Sequence, residues 1–186
     1  MADEYTRQFF INNIDCTVPS VKPIVTSIME NYEPQSVIDF GCATGIFLRE
    51  FKAQGVTDIL GLDLYPPDDL LQIPKENFMR FDVTKPLFPN RRFDVAICLE
   101  VAEHIPRESS MQLVTSLSML SDNIIFSGAH VGQGGHGHIN ERPVTDWIDM
   151  FNAVGFYETL STRADIKNNP QVAPWYRENI VDFRKF

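Results

Sequence analysis

The sequence predicts an α/β protein built on one sheet. Seven apolar, strand-like runs alternate with helix-like segments along the chain, and that alternation is the mark of strands layered with helices. The 186 residues suit one domain with one sizeable core. Neither an internal repeat nor a low-complexity tract interrupts the pattern.

The elements follow in order. Pro19 to Tyr32 reads as a first helix, with Val21, Ile24, Val25 and Ile28 on one face. Ser36 to Phe40 is a buried strand, and Thr44 to Ala53 a helix that packs through Phe47, Leu48 and Phe51. Asp58 to Asp63 is a second strand, ended by the breaker run Tyr65-Pro-Pro-Asp-Asp69. Phe78 to Phe81 and Phe93 to Cys98 are the third and fourth strands. A helix is expected from Arg107 to Leu120, and a fifth strand from Asn123 to Ser127. Residues 128–137 form a loop with five glycines and two histidines. Pro143 suits the first position of a helix running through Val154, with Val144, Trp147, Ile148 and Phe151 apolar. Phe156 to Leu160 and Ile180 to Phe186 complete the strands. A single domain over residues 1–186 is expected, and Tyr5 to Phe10, within an N-terminal stretch 1–18, reads either as an arm over a ligand or as a packed end.

Bulk properties narrow the function classes. With 44% hydrophobic and 22% charged residues the chain is an ordinary globular one. The longest apolar run falls short of a bilayer span, so no membrane insertion is expected. The polar N-terminal residues do not resemble a secretory signal. Cys16, Cys42 and Cys98 are an odd, sparse set, which argues for a reducing, cytoplasmic setting and against a disulfide framework. A net charge of −9 disfavours nucleic acid as a partner and favours a small-molecule or glycan acceptor.

The chemistry starts at Val37-Ile-Asp-Phe-Gly-Cys-Ala-Thr-Gly45. A strand, a tight glycine turn and a helix N-terminus make a nucleotide-like site. The spacing Asp39-x-Gly41-x-Ala43-x-Gly45 differs from the G-x-G-x-x-G turn that cradles a dinucleotide pyrophosphate. It resembles the first motif of the class I S-adenosylmethionine-dependent methyltransferases. The likeness continues through Gly61-Leu-Asp63, Phe81-Asp82-Val83 and Phe93-Asp-Val-Ala-Ile-Cys-Leu-Glu100. It implies a Rossmann-like, mostly parallel seven-stranded sheet with helices on both faces, and S-adenosylmethionine as cofactor. By the same resemblance Asp39 meets the amino end of the cofactor, Asp63 the ribose hydroxyls and Asp82 the adenine amino group. Leu64 and Val83 flank the adenine, and Gly41, Cys42, Ala43, Gly45 and Leu99 complete the binding set.

A second cluster follows the fourth strand. If Glu100-Val-Ala-Glu103-His104 is helical, Glu100, Glu103 and His104 share one face. Two carboxylates and an imidazole at one point call for a compensating cation. His138, in Gly137-His-Ile-Asn-Glu-Arg-Pro143, is the fourth candidate ligand. Mixed oxygen and nitrogen donors suit magnesium, manganese, iron or zinc, with magnesium or manganese expected first. The set resembles that of the metal-dependent small-RNA 2′-O-methyltransferases and of ubiquinone-pathway O-methyltransferases. The run Gly132-Gln-Gly-Gly-His-Gly-His-Ile-Asn-Glu-Arg-Pro and the tail Trp175-Tyr-Arg-Glu-Asn179 resemble small methyltransferases of glycan decoration. The expected activity is O-methylation of a sugar hydroxyl, with His104, Glu103 and His138 catalytic. RNA 2′-O-methylation, a cofactor-binding module without catalysis and a nicotinamide-dependent reductase are the alternatives. A metal-free acid/base role for His104 is the alternative for the cluster, and solvated acids and structural histidines are its plainer reading.

Overall fold

A computed structural model describes residues 5–186. Seven strands form one sheet: β1 (Ser36–Phe40), β2 (Asp58–Asp63), β3 (Phe78–Arg80), β4 (Val95–Leu99), β5 (Asn123–Ser127), β6 (Phe156–Thr159) and β7 (Val181–Lys185). Their spatial order is β3-β2-β1-β4-β5-β7-β6. All neighbours pair in parallel except at β7, which runs antiparallel to both β5 and β6. The expected mostly parallel Rossmann-like sheet is what forms.

The strands are apolar almost throughout because both sheet faces are covered. Val37, Val95, Ile97, Leu99 and Ile125 point to one face and pack with α1 (Arg7–Tyr32) and α2 (Ile46–Ala53). Two short helices, α5 (Ser161–Ile166) and α6 (Pro174–Asn179), add Ile166 and Tyr176 to this layer. Ile38, Ala96, Cys98, Ile124 and Phe126 alternate to the opposite face. There they meet Leu113, Val114 and Leu117 of α3 (Ser110–Leu120) and Trp147 and Phe151 of α4 (Val144–Ala153).

The differences from the sequence reading lie at element ends. Helix α1 begins at Arg7, not Pro19, and runs straight through Pro19 and Pro23. Each interior proline costs roughly 3 kcal/mol. Full burial of Ile24, Val25 and Ile28 contributes about 1.5–3 kcal/mol apiece and offsets that cost. Thr6 caps the new start by accepting a hydrogen bond from the Phe9 N–H. Pro143 is the extended residue before α4 rather than its first helical residue. Helices α5 and α6 have six residues each, too few to show a helical period. The Thr162 N–H in the first turn of α5 donates to the Asp182 carboxylate at 2.6 Å, a partner that local sequence does not reveal.

This topology positions the site. β1 connects outward to β2 on one side and borders β4 on the other, so the winding reverses between β1 and β4. Crevices at such a reversal, beyond the carboxyl ends of the strands, are where open α/β sheets bind ligands.

Candidate active site

A cavity of about 400 Å³ opens at that reversal, within the size range of small-molecule sites. Asp39, Gly41, Cys42 and Ala43 form its floor, with Asp63, Leu64, Asp82, Val83 and Leu99 around it. Of the ten residues expected to bind cofactor, nine line this cavity. Gly45 does not: it sits at φ +81° as the residue before α2 and packs against Ile73.

The loop is shaped by its backbone. Gly41 and Cys42 N–H groups both donate to the Leu62 carbonyl, at 2.8 and 3.0 Å. Gly41 adopts φ +95°, and a Cβ there would lie 2.5 Å from Val101 Cγ2. Only glycine meets both demands. The Ala43 N–H donates to Asp63 Oδ2 at 2.9 Å, and the Tyr65 N–H to Asp63 Oδ1 at 3.1 Å. Two amides therefore hold the Asp63 carboxylate at the cavity wall. Burial pushes the Asp39 carboxyl well up, and the nearby Asp63 charge adds to this. Burial raises Asp63 as well, while the Tyr65 and Ala43 amides pull it back. Asp82 accepts from the Thr84 N–H and hydroxyl at 3.0 and 2.7 Å.

The roof comes from the N-terminus. Tyr5, Phe9, Phe10, Asn13 and Thr17 line the cavity, and Tyr5 stacks on Tyr65 with centroids 4.8 Å apart and planes 7° from parallel. Residues 1–4 of the expected arm lie outside the described residues. Of the remainder, Tyr5 and the capping Thr6 precede α1, and residues 7–18 are its first half.

The segment after β4 corrects the helical reading of Glu100 to His104. Glu100 has φ +54°, and only a three-residue 3-10 turn, Ala102–His104, follows. Non-glycine residues held there are strained, a cost that surrounding contacts must sustain. The Glu100 N–H donates to Ser127 Oγ and carbonyl oxygen. Its carboxylate accepts from Gln133 Nε2 at 3.2 Å and Asn179 Nδ2 at 3.3 Å. As a result Glu103, His104 and His138, without Glu100, each offer a ligand atom within 4.8 Å of the others.

Glu103 is 1% exposed. Neither carboxylate oxygen has a full hydrogen-bond partner among the described residues, the Glu103 and Ala129 amides offset its burial only in part, and its charged neighbour is another carboxylate, Glu100. Burial and that charge push its carboxyl well up. His138 Nε2 lies 4.0 Å from Glu103 Oε1. His104 Nδ1 is 3.3 Å from the Gly137 carbonyl oxygen. A divalent cation fits this donor set, because it would satisfy both orphaned oxygens at once. His104 and Glu100 line the cavity, whereas Glu103 and His138 do not.

Comparison with known proteins decides the family. A family model described as a methyltransferase domain matches residues 20–126, more than half of the chain. The chain belongs to that methyltransferase family. In fold, this methyltransferase is similar to an O-methyltransferase family protein from Burkholderia thailandensis, with TM-score 0.73 and 10% identity, covering 95% of this chain and 58% of that one. It is also similar to magnesium protoporphyrin IX methyltransferase of Synechocystis PCC 6803 with bound S-adenosylhomocysteine. That likeness has TM-score 0.65 and 18% identity over 89% of this chain and 82% of the other. A 59-residue stretch is 37% identical to ribosomal RNA large subunit methyltransferase E of Caulobacter sp. (strain K31). It covers 32% of the methyltransferase and 25% of the Caulobacter protein, so the shared part is a quarter of that relative's length.

Sequence reasoning missed Asn13, Thr17, Gln133 and the roles of Tyr176 and Asn179. Burial pushes the Tyr176 hydroxyl far up, with Glu100 adding to it, and Tyr176 lines the cavity. The tail Trp175–Asn179 was conspicuous as a run but carried no sign of what it touches. The three cysteines are free, and no helix among the described residues is long and apolar enough to cross a membrane.

Proposed function

We propose that this methyltransferase binds S-adenosylmethionine across the ends of β1, β2 and β3 and transfers its methyl group to a sugar hydroxyl. Glu103, His104 and His138 would hold a divalent cation beside the acceptor. One observation carries the cofactor assignment. The cavity wall holds four carboxylates, Asp39, Asp63, Asp82 and Glu100, against one lysine, Lys85. A sulfonium bound there would favour the charged forms of the buried Asp39 and Asp63 carboxyls, whereas the pyrophosphate of a dinucleotide would be repelled by the acids of the wall. The S-adenosylhomocysteine bound in the Synechocystis enzyme supports the same reading.

In this reading Asp39 meets the amino end of the donor, Asp63 the ribose hydroxyls and Asp82 the adenine, with Leu64 and Val83 against the ring. Tyr5 and Phe9 cover the ligand and keep water out. The methyl leaves sulfur, which keeps the bonding pair, as the acceptor oxygen forms its bond to carbon and its proton passes to a neutral imidazole or to water, so the protein's main task is alignment. A divalent cation, when bound, lowers the pKa of a hydroxyl and fixes its orientation. His104 belongs both to the cavity wall and to the cluster, which supports a role for it beside the acceptor. Buried Glu103 acts from behind as a ligand. Two imidazoles and one carboxylate suit manganese, iron or zinc better than the magnesium first expected. Three free thiols support a reducing, cytoplasmic setting.

The test is incubation with methyl-labelled S-adenosylmethionine and pools of neutral glycans or RNA, with and without a chelator. Label in a glycan methyl ether, lost on chelation and restored by manganese, is expected. Label unchanged after complete cation removal would end the metal part. The ribosomal RNA relative favours a second reading, 2′-O-methylation of RNA. It predicts label in RNA and binding that weakens steeply with salt, against the net charge of −9.

A further inference from the structure

Glu141 follows His138 by three residues and precedes α4. Its Oε1 accepts from the Gly134 N–H at 2.6 Å and lies 3.0 Å from His138 Nδ1. Its Oε2 accepts from the Gly132 N–H at 2.8 Å. One carboxylate thus gathers two backbone amides and an imidazole, while Gln133 between those amides is held separately by Asn179 and Glu100. Backbone amides only donate, so both oxygens act as acceptors. The proton of the Glu141–His138 bond therefore belongs to Nδ1. The lone pair of a neutral His138 is then left on Nε2, the nitrogen that faces Glu103. Gly135 closes over the same ring, and a Cβ at that position would collide with Nε2.

We propose that Glu141 is a positioning residue for the acceptor side of the site. It fixes His138 as the Nδ1–H tautomer with Nε2 turned toward Glu103, and it folds the Gly132–Gly134 turn against that imidazole. A carboxylate behind a histidine fixes its tautomer and orients the ring. This rests on the reading that Glu103, His104 and His138 form a working cluster.

The test is the imidazole 15N–1H correlation spectrum of the cation-free protein at a pH where the ring is neutral, with His138 assigned by its loss in His138→Gln. The wild-type spectrum is expected to show a protonated Nδ1 and a bare Nε2. Glu141→Gln presents an amide that can donate, and is expected to move His138 toward the Nε2–H form, while Glu141→Asp keeps the wild-type tautomer in part. Turnover in Glu141→Gln should fall about 10- to 100-fold, with S-adenosylhomocysteine affinity unchanged. A wild-type His138 protonated on Nε2, or a tautomer indifferent to Glu141→Gln, would overturn the proposal. The wild-type spectrum decides even if the variant does not fold. Because the spectrum needs neither cation nor acceptor, a failure of the sugar O-methylation reading would leave its outcome standing apart.

Discussion

The two halves of the proposed site, the cavity at the strand ends and the side-chain cluster at its edge, are built by different means. The donor half is made of strand ends and main chain: Leu62 accepts two loop amides, and Ala43 and Tyr65 amides hold Asp63. Its parts follow directly on β1, β2 and β3. The acceptor half is made of side chains from distant segments. Asn179 donates to Gln133 at 2.8 Å and to Glu100, joining α6, the glycine loop and the end of β4. Glu141 then folds the loop on His138. The first half is tied to the hydrogen-bonded ladders of β1, β2 and β3. The second holds only while several polar contacts persist together, and such networks are lost cooperatively. Donor binding and turnover should therefore respond to different substitutions.

Gly41→Ala should have the largest effect. It forces a side chain into φ +95° and against Val101, at a cost of about 2–4 kcal/mol. Calorimetry should find S-adenosylhomocysteine binding reduced by about 100-fold or more. His104→Ala comes next, with turnover down by about 10²–10⁴ and S-adenosylhomocysteine affinity within about threefold of wild type. A large loss of affinity in His104→Ala would break the division between the halves.

Glu103→Gln sharpens it through stability. The folded carboxyl titrates above its unfolded value of 4.5, so the folded state holds a proton that the unfolded chain has released. Stability should be full below that value and decline as pH rises through the interval between the two. In cation-free protein, thermal denaturation should show this decline, and Glu103→Gln should flatten it and raise the melting temperature at neutral pH. Added manganese should stabilise the wild type but not the variant. Arg7→Ala should do least. The exposed Arg7–Asp69 pair links the start of α1 to the loop after β2, and such pairs contribute about 0.2–1 kcal/mol. Titration with S-adenosylhomocysteine should show a shift of about fivefold or less.

The same division explains what could be read in advance. Asp39, Asp63 and Asp82 stand at the ends of apolar runs, so strand periodicity locates them without any tertiary knowledge. Glu103, His104 and His138 were legible as residue types, but the expected route to their convergence was an α-helix. The chain instead uses a left-handed Glu100 and a 3-10 turn, which turns Glu100 toward Gln133 and Asn179. That outcome depends on contacts across 33 and 79 positions, beyond any local pattern. The start of α1 was missed for a related reason: interior prolines read as a boundary when the burial that compensates them lies on other elements.

Strand β7 has a consequence for synthesis. It follows β6 in the chain yet lies between β5 and β6. While a ribosome is still translating residues 161–180, β5 has an unpaired edge and β6 has no neighbour in the sheet. The nascent protein therefore carries open strand edges and bare apolar surface, the usual prompts for misassociation, until β7 slots between them. A chaperone that shields the emerging chain would matter most in that window.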